Sequence, residues 1–431
     1  MRRGPTGLWR HRMRILISCY ACYPHGSSEP GCAWRAIRRA LGGGHEVWAL
    51  IEGAEFQDGI LKHLAREPME GFHPVFVRLS GWVDRAFRRG SVCRSVHYDL
   101  WQQKIVRVAN DLHRRAGFDL AHHVTFGRFW SPSGLRGLGL PFVWGPVGAA
   151  ESAPVPFSRE MPVVARAFEV TRDGVRRLAR WDPRLAKTAA AATIGIGITK
   201  ESCEALRSLG VRRVEQFPQV ALTDEELRFF DGIPSPPPGP FRAICMGRLL
   251  HWKGFHLAVR AFAAYAKGDR AAELWIVGEG PARDHLGRLA TSEGVGSQVR
   301  FLGYLPTHRE VLDRLAQSHV LIHPALHEAF GNVCLEALAS GRPVVCLDIG
   351  GPASQVTGEC GCVAPASTPA EAVATMAAYL ARIARDRPGL REISARARAR
   401  AHEVFSMRRV GEDLEQIYRD AVAAHEMGVA E

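Results

Sequence analysis

No stretch of this 431-residue chain approaches the ~20 consecutive apolar residues that a membrane-spanning helix requires. The N-terminus is basic, but its apolar part, at 15–17, is too short for the core of a signal peptide and reads as a first strand. The 10 cysteines are scattered: Cys19 and Cys22 form a CxxC, and no second pair stands at zinc-ligand spacing. Reduced, structural cysteines in a cytoplasmic protein are therefore expected. The glycines after the first strand do not fit GxGxxG, which gives a dinucleotide site little support. No strand interleaves aromatic and basic residues as RNA-binding sheets do, which argues against nucleic acid as the partner.

Acidic residues are scarce only in the first half. Residues 1–222 carry 33 Lys+Arg against 19 Asp+Glu, and residues 223–431 carry 23 against 25, so all of the net +12 lies in the first half. An anionic partner for that half follows: nucleic acid, an acidic membrane surface or a phosphorylated acceptor. Arginine outnumbers lysine there 29 to 4, so part of the excess can reflect base composition.

What is present is organised around residues 321–351, LIHPALHEAFGNVCLEALASGRPVVCLDIGG. A buried strand (320–322) leads into a small-residue turn, then an apolar helix stopped by Gly341 and Pro343, then a second buried strand (344–347). The helix should begin near Gly331–Val333, where free N–H groups and the positive end of the dipole suit a phosphate. Glu328 precedes that turn, and Glu336 lies about one turn inside the helix. Carboxylates there are poor phosphate ligands but good acceptors for sugar hydroxyls. The pairing suggests a nucleotide sugar.

The rest of the chain alternates strands and helices, which implies parallel sheets covered on both faces, with ligands at the carboxyl ends of the strands. In the first half, strand 14–19 runs into a loop at 21–31 that ends at Gly31, followed by helix 33–41 and strand 45–51. Helix 91–116 leads to strand 119–124, which bears His122 and His123. Strand 141–144 empties into GPVGAAESAP, where Glu151 is a candidate substrate ligand. Residues 161–185 read as one amphipathic helix with an arginine face, either a solvated surface helix or one that docks on anionic lipid or a lipid-linked diphosphate. The proline-rich IPSPPPGP at 233–240 marks a boundary. The expected domains are 1–225, a linker at 226–240, a second domain at 241–405, and a last helix at 406–431 that crosses back to the first.

Four loops at strand ends in the second half form a consistent set. GRLLHWKG places Arg248 and Lys253 five positions apart across a turn, two cations suited to a diphosphate. VGEGP, Gly303–Tyr304 and the Glu328 loop follow in order. Two carboxylates can also serve as a glycosidase acid and nucleophile, but they must then face each other across a bond, and a phosphate-binding helix start between them argues against that.

These residues resemble the donor-binding domain of family 4 glycosyltransferases, retaining enzymes of the GT-B fold. GRLLHWKG, GEGP, FLGYLP and EAFGNVCLEALASGRPVV carry the likeness. In the first half SCYACYPHGSSEPGCAW and HHVTFGRFWSP with PFVWGPVGAAE resemble a branch often concerned with cell-surface polysaccharides. The resemblance implies an α/β protein of two Rossmann-like domains facing each other across a cleft, the first binding the acceptor and the second the donor. Glu328 would bind donor-sugar hydroxyls and Glu336 the ribose. Arg248 and Lys253 would neutralise the β-phosphate, with help from the amides of Gly331, Asn332 and Val333. Gly247, Gly278, Gly280, Gly303, Tyr304, Phe330 and, from the first domain, Gly31 complete the implied donor contacts. The family's first-domain histidine, near the donor sugar, has two candidates here, His122 and His123. His123 is the favoured one, and a hydrogen-bonded core histidine is the competing reading for each.

No two aspartates stand two positions apart, so the DxD metal motif of the other large glycosyltransferase fold is absent. A metal-independent reaction with no cofactor is expected. The partners are then a nucleotide sugar, a saccharide or lipid-linked acceptor and an anionic membrane surface, at the inner face of which the cytoplasmic protein would sit. A nucleotide-sugar epimerase or hydrolase, or a non-catalytic nucleotide-regulated binding protein, are the alternatives; product formed without acceptor would distinguish the former.

Overall fold

The structure is a computed structural model that describes residues 12–24, 28–87 and 90–429. Part of the expected loop at 21–31 (residues 25–27) and the basic N-terminus through residue 11 lie outside the described residues. The chain divides into two compact units. The first comprises Met1–Ala150, Val175–Ala221 and Met407–Glu431, and the second Glu151–Gly174 and Leu222–Ser406.

The first unit is built on a seven-stranded sheet of β1 (Arg14–Cys19), β2 (Glu46–Glu52), β3 (Phe72–Val77), β4 (Leu120–Thr125), β5 (Phe142–Val147), β6 (Ile194–Gly197) and β7 (Val214–Gln216), in the order β3-β2-β1-β4-β5-β6-β7. Every pairing is parallel. Helices on the faces account for the near-continuous burial of β1, β4 and β5. β3 was not expected from the sequence. Its Pro74 cannot donate to a ladder, which is tolerated because β3 is an edge strand.

The second unit carries β8 (Arg242–Met246), β9 (Glu273–Val277), β10 (Val299–Gly303), β11 (Val320–His323), β12 (Val344–Leu347) and β13 (Gly361–Ala364), in the order β10-β9-β8-β11-β12-β13. Within the unit this is the doubly wound 3-2-1-4-5-6 pattern, all parallel. The chain leaves β8 towards one side and reaches β11 on the other, so the loops after β8 and β11 are neighbours at the switch point.

The boundaries differ from those expected. Residues 151–174 belong to the second unit because Phe157, Met161 and Ala165 are buried with Phe241, Leu257 and Ile276 in its core. Residues 407–429 form the Met407–Val429 helix, whose Val410, Leu414, Tyr418 and Ala421 join the core of the first unit. The helix expected over 161–185 is two, Val163–Ala179 and Pro183–Ala191, because Pro183 starts a new helix capped by Asp182. A helix at Asp224–Asp231, with a capping box between Thr223 and Glu226, shortens the linker from its N-terminal side. The proline-rich stretch is fastened rather than free: Arg342 Nη1 donates to the Pro234 carbonyl at 2.8 Å, and His319 Nε2 meets that of Pro237 at 2.8 Å. Among the described residues no helix is long and apolar enough to cross a membrane.

Gly254, which caps the short turn His251–Lys253 with φ +67°, shows how tightly the switch-point loops are joined: a Cβ there would lie 1.9 Å from the Pro324 carbonyl oxygen. Gly254→Ala is expected to destabilise the protein by about 2 kcal/mol or more, lowering the melting temperature by several degrees. An unchanged melting curve would show that the two loops are not held by this contact.

Candidate functional site

The loop after β8 brings the second unit's chemistry into one place. Lys253, in the turn His251–Lys253, forms an ion pair with Glu328 of the loop after β11. Both side chains are about one-fifth exposed, at 18% and 22%, so the pair is largely covered but reaches solvent. Burial alone would raise the Glu328 pKa, but His323 and Lys253 outweigh it and hold the carboxyl down at about 2. His323, at the end of β11, is fully buried with Nε2 3.7 Å from Glu328 Oε2, and burial lowers its pKa.

The helix Asn332–Ala339 begins just after this carboxylate, with Gly331 as its cap in the left-handed region. A Cβ on Gly331 would lie 3.3 Å from Glu328 Cγ, so Glu328 stands against the helix start. The first amides of that helix have no intrahelical partners, as at any helix N-terminus. Asn332 is exposed and Val333 half-buried. Glu336, within the helix, meets Nε2 of the exposed His308 at 3.1 Å, and this carboxylate raises the His308 pKa. Lys253, Glu328, Gly331–Val333 and Glu336 are thus supplied by the adjoining ends of two neighbouring strands. Arg248 is exposed one residue beyond Gly247.

The expected glycines hold loop to loop. Gly278, with φ +126°, allows its backbone to approach Gly247: a Cβ there would lie 2.0 Å from the Gly247 carbonyl oxygen. Gly280 meets the Leu249 backbone in the same manner, and Leu249 N donates to the Glu279 carbonyl at 2.9 Å. The loops after β8 and β9 are therefore one packed surface. Gly303 lies beside Glu279, and Tyr304 is 73% exposed.

Four of the expected site residues, His122, His123, Phe330 and Gly31, are buried in the structure. His122 and His123 were candidate catalytic residues, but β4 is buried on both faces, so both rings lie in the first unit's core. His122 Nδ1 meets Tyr418 Oη at 2.8 Å and Nε2 meets the Gly145 carbonyl at 2.6 Å. His123 Nδ1 meets Ser133 Oγ at 3.0 Å and Nε2 meets Tyr98 Oη at 3.2 Å. Burial lowers their pKa values to about 3 and about 4, so both are neutral hydrogen-bonded core groups. Phe330 points its ring inward, 5% exposed and in edge contact with Phe405, which leaves only its backbone for a ligand. Gly31 is not in a loop: it lies in the first turn of the Ser28–Gly42 helix.

Sequence reasoning missed the group that joins the two key loops. Glu169, on the buried side of the Val163–Ala179 helix and 4% exposed, has Oε1 3.1 Å from His251 Nε2 and 3.0 Å from His327 Nε2. Its Oε2 lies 2.8 Å from Arg172 Nη2, and Arg172 Nη1 stands 2.7 Å from His327 Nε2. His251 lies between Arg248 and Lys253, and His327 directly precedes Glu328. Burial tends to raise the Glu169 pKa, but His327, Arg172 and His251 bring it down to about 2. Leu326 N donates to the Trp252 carbonyl at 2.7 Å and Trp252 stacks on His327, so the loops are fixed through main chain, ring and carboxylate. Glu151, the candidate ligand after β5, is buried against Gly350, whose Cβ would lie 3.1 Å from Glu151 Cγ and 2.4 Å from the Glu328 carbonyl.

Metal ligands are a separate matter. Glu52, Asp84 and His97 of the first unit could reach one ion. Their atoms are already engaged: Glu52 accepts from Ala54 N and Glu55 N at 2.9 and 2.7 Å, and His97 lies between Tyr20 Oη and Asp84 at 2.7 and 2.9 Å. That set reads as a hydrogen-bonded core cluster. All ten cysteines are free thiols.

The family model "Glycosyl transferases group 1" matches residues 228–403, which contain β8 to β13 and the loops described. The lipopolysaccharide core biosynthesis glycosyltransferase LpsE of Rhizobium meliloti is 40% identical over 107 residues, 25% of this chain and 29% of that protein. A glycogen synthase of Mycobacterium tuberculosis is 32% identical over 184 residues, 42% of this chain and 43% of its own. The chain thus spans less than half the length of these curated relatives. Among solved structures, Anabaena HepE in complex with UDP superposes with a TM-score of 0.58 at 18% identity, over 94% of this chain and 99% of that one. The chain thus has the GT-B fold, and its residues 228–403 are similar to the group 1 glycosyl transferases.

Proposed function

We propose that the protein is a retaining glycosyltransferase that moves a hexose from a UDP- or GDP-linked donor to a saccharide or lipid-linked acceptor, in polysaccharide or glycolipid synthesis. One observation carries the reading: Lys253 and Glu328 meet at the switch point of a doubly wound sheet, beside the start of the Asn332–Ala339 helix. That edge can separate a nucleotide sugar into its parts. The diphosphate takes Lys253, Arg248 and the helix amides, the sugar hydroxyls take Glu328, and the ribose takes Glu336. As the glycosidic bond breaks, charge develops on the leaving diphosphate. Fixed cations and amides stabilise it more in the transition state than in the ground state. Relatives named for lipopolysaccharide core biosynthesis and glycogen synthesis, and a neighbour solved with UDP, support the substrate class.

Glu328 stays ionised at any pH above about 2, so it accepts from sugar hydroxyls and does not act as a proton donor. Glu169 is assigned a positioning role, holding His251 and His327 so that Lys253 and Glu328 face each other. The transfer is proposed to need no metal, since lysine and arginine supply the positive charge at the phosphate. The acceptor would be met at an anionic membrane surface on the cytoplasmic side, in keeping with the basic first half.

Lys253→Ala should lower kcat by about 10²–10³ with the fold retained, and Glu336→Ala should act mainly on KM for the donor. Wild-type turnover in Lys253→Ala would remove the assignment. Transfer rates should be unchanged by EDTA; a rate lost to EDTA and restored by a divalent cation would contradict the metal-free reading. Glu169 has a folded pKa below its unfolded value of 4.5, so its contribution to stability is fully present above about pH 5 and fades as pH falls towards 2. The melting-temperature gap between wild type and Glu169→Gln should therefore be flat at neutral pH and close on acidification. A gap that widens in acid would show that the carboxylate is not held ionised by its partners.

A further inference from the structure

The Val163–Ala179 helix has a second side. Its inner face holds Ala165, Glu169 and Arg176, all buried. Its outer face exposes Val163 (72%), Val164 (83%), Val170 (67%), Val175 (54%) and Leu178 (72%), and Trp181 just beyond it is 86% exposed. Single exposed apolar residues are ordinary, but a continuous helical face of them is not. Arg166, Arg177 and Arg180 are the exposed charges among them. The segment from 163 to 181 contains two acidic residues: Glu169 is buried, and Asp173, with its side chain 31% exposed, accepts from Ser152 Oγ at 2.9 Å. The apolar face continues into a groove of about 510 Å³, lined among others by Met161, Val164, Phe168, Trp252, Phe255 and Leu286.

We infer that this outer face is a docking surface for an anionic lipid bilayer. A partner in water would have to match a strip of valine, leucine and tryptophan edged mainly by arginine. A bilayer surface matches it directly. Valine and leucine enter the acyl boundary, Trp181 sits at the headgroup level, and the arginines extend their stems over apolar surface while their guanidinium groups meet lipid phosphates. The exposed Arg166, Arg177 and Arg180 outnumber the half-buried Asp173, so the charge this helix presents is positive. The inner face of the same helix carries Glu169, which holds the loops of Lys253 and Glu328, so lipid contact bears on the element that positions the donor site. The inference rests on the reading of the protein as a peripheral glycosyltransferase, and it specifies the element that makes the contact.

The test is co-sedimentation of the full chain with phosphatidylcholine vesicles made with and without phosphatidylglycerol, alongside thermal shifts with UDP and GDP in the absence of lipid. The wild type should bind only the anionic vesicles, and less at raised salt. Arg166→Gln with Arg177→Gln should weaken that binding by about tenfold or more, and Val164→Asp with Leu178→Asp should abolish it. Because these side chains are exposed, melting temperature and nucleotide response should remain those of the wild type. Equal binding to neutral vesicles, or wild-type binding by both double variants, would overturn the docking surface. So would a wild-type dimer that Val164→Asp with Leu178→Asp dissolves, since the face would then belong to a second copy. Lost vesicle binding with intact nucleotide response would leave the donor site standing, and the reverse result would remove the donor site alone.

Discussion

An ion pair between Lys253 and Glu328 joins two loops that are 75 residues apart in the chain. Its existence depends on strand order. Because β8 and β11 are adjacent in the order β10-β9-β8-β11-β12-β13, the turns that follow them emerge side by side. Two charges held largely out of water are costly unless each is well partnered. Here the pair is set in a frame that leaves it little freedom: Gly254 against the Pro324 carbonyl, Leu326 N on the Trp252 carbonyl, and the Glu169 carboxylate between His251 and His327. Such a frame suits a site whose work is electrostatic, since fixed charges need no reorganisation when charge moves in the reacting bond.

The same frame explains why a peripheral segment matters to the centre. Residues 151–174 lie between β5 and β6 of the first unit in sequence but pack with the second, through Phe157, Met161 and Ala165. Glu169 and Arg172 on that segment complete the polar partners of the two loops. The helix that carries them is therefore both a wall of the site and an exposed surface, and the chemistry of its two faces differs accordingly.

Much of this was legible in the sequence. Motifs local in the chain survived: GRLLHWKG gave Lys253 and the turn around it, and EAFGNVCLEA gave Glu328, the helix start and Glu336. β1, β9, β10 and β12 fall where their apolar runs put them. What was not legible is non-local or ambiguous by type. Glu169 lies 82 residues from His251 and 158 from His327, so no spacing rule links them. His122 and His123 point to opposite sides of β4. In a half-exposed strand one of them would face solvent, but this central strand is covered on both faces, and Tyr418, 296 residues away, completes the partner set of His122. Pro74 masked an edge strand, and the break at Pro183 was hidden by an apolar periodicity that runs through it.

The switch-point edge of the second unit is proposed to bind a nucleotide diphosphate sugar through Lys253 and the neighbouring helix start. This binding is tested most directly by a thermal-shift panel of UDP, GDP and ADP with their hexose conjugates, run on the wild type and on Lys253→Ala with EDTA present. The account predicts stabilisation by one nucleotide series, undiminished by EDTA and sharply reduced in the variant. Stabilisation of the variant equal to that of the wild type, or no response to any of the compounds, would contradict it.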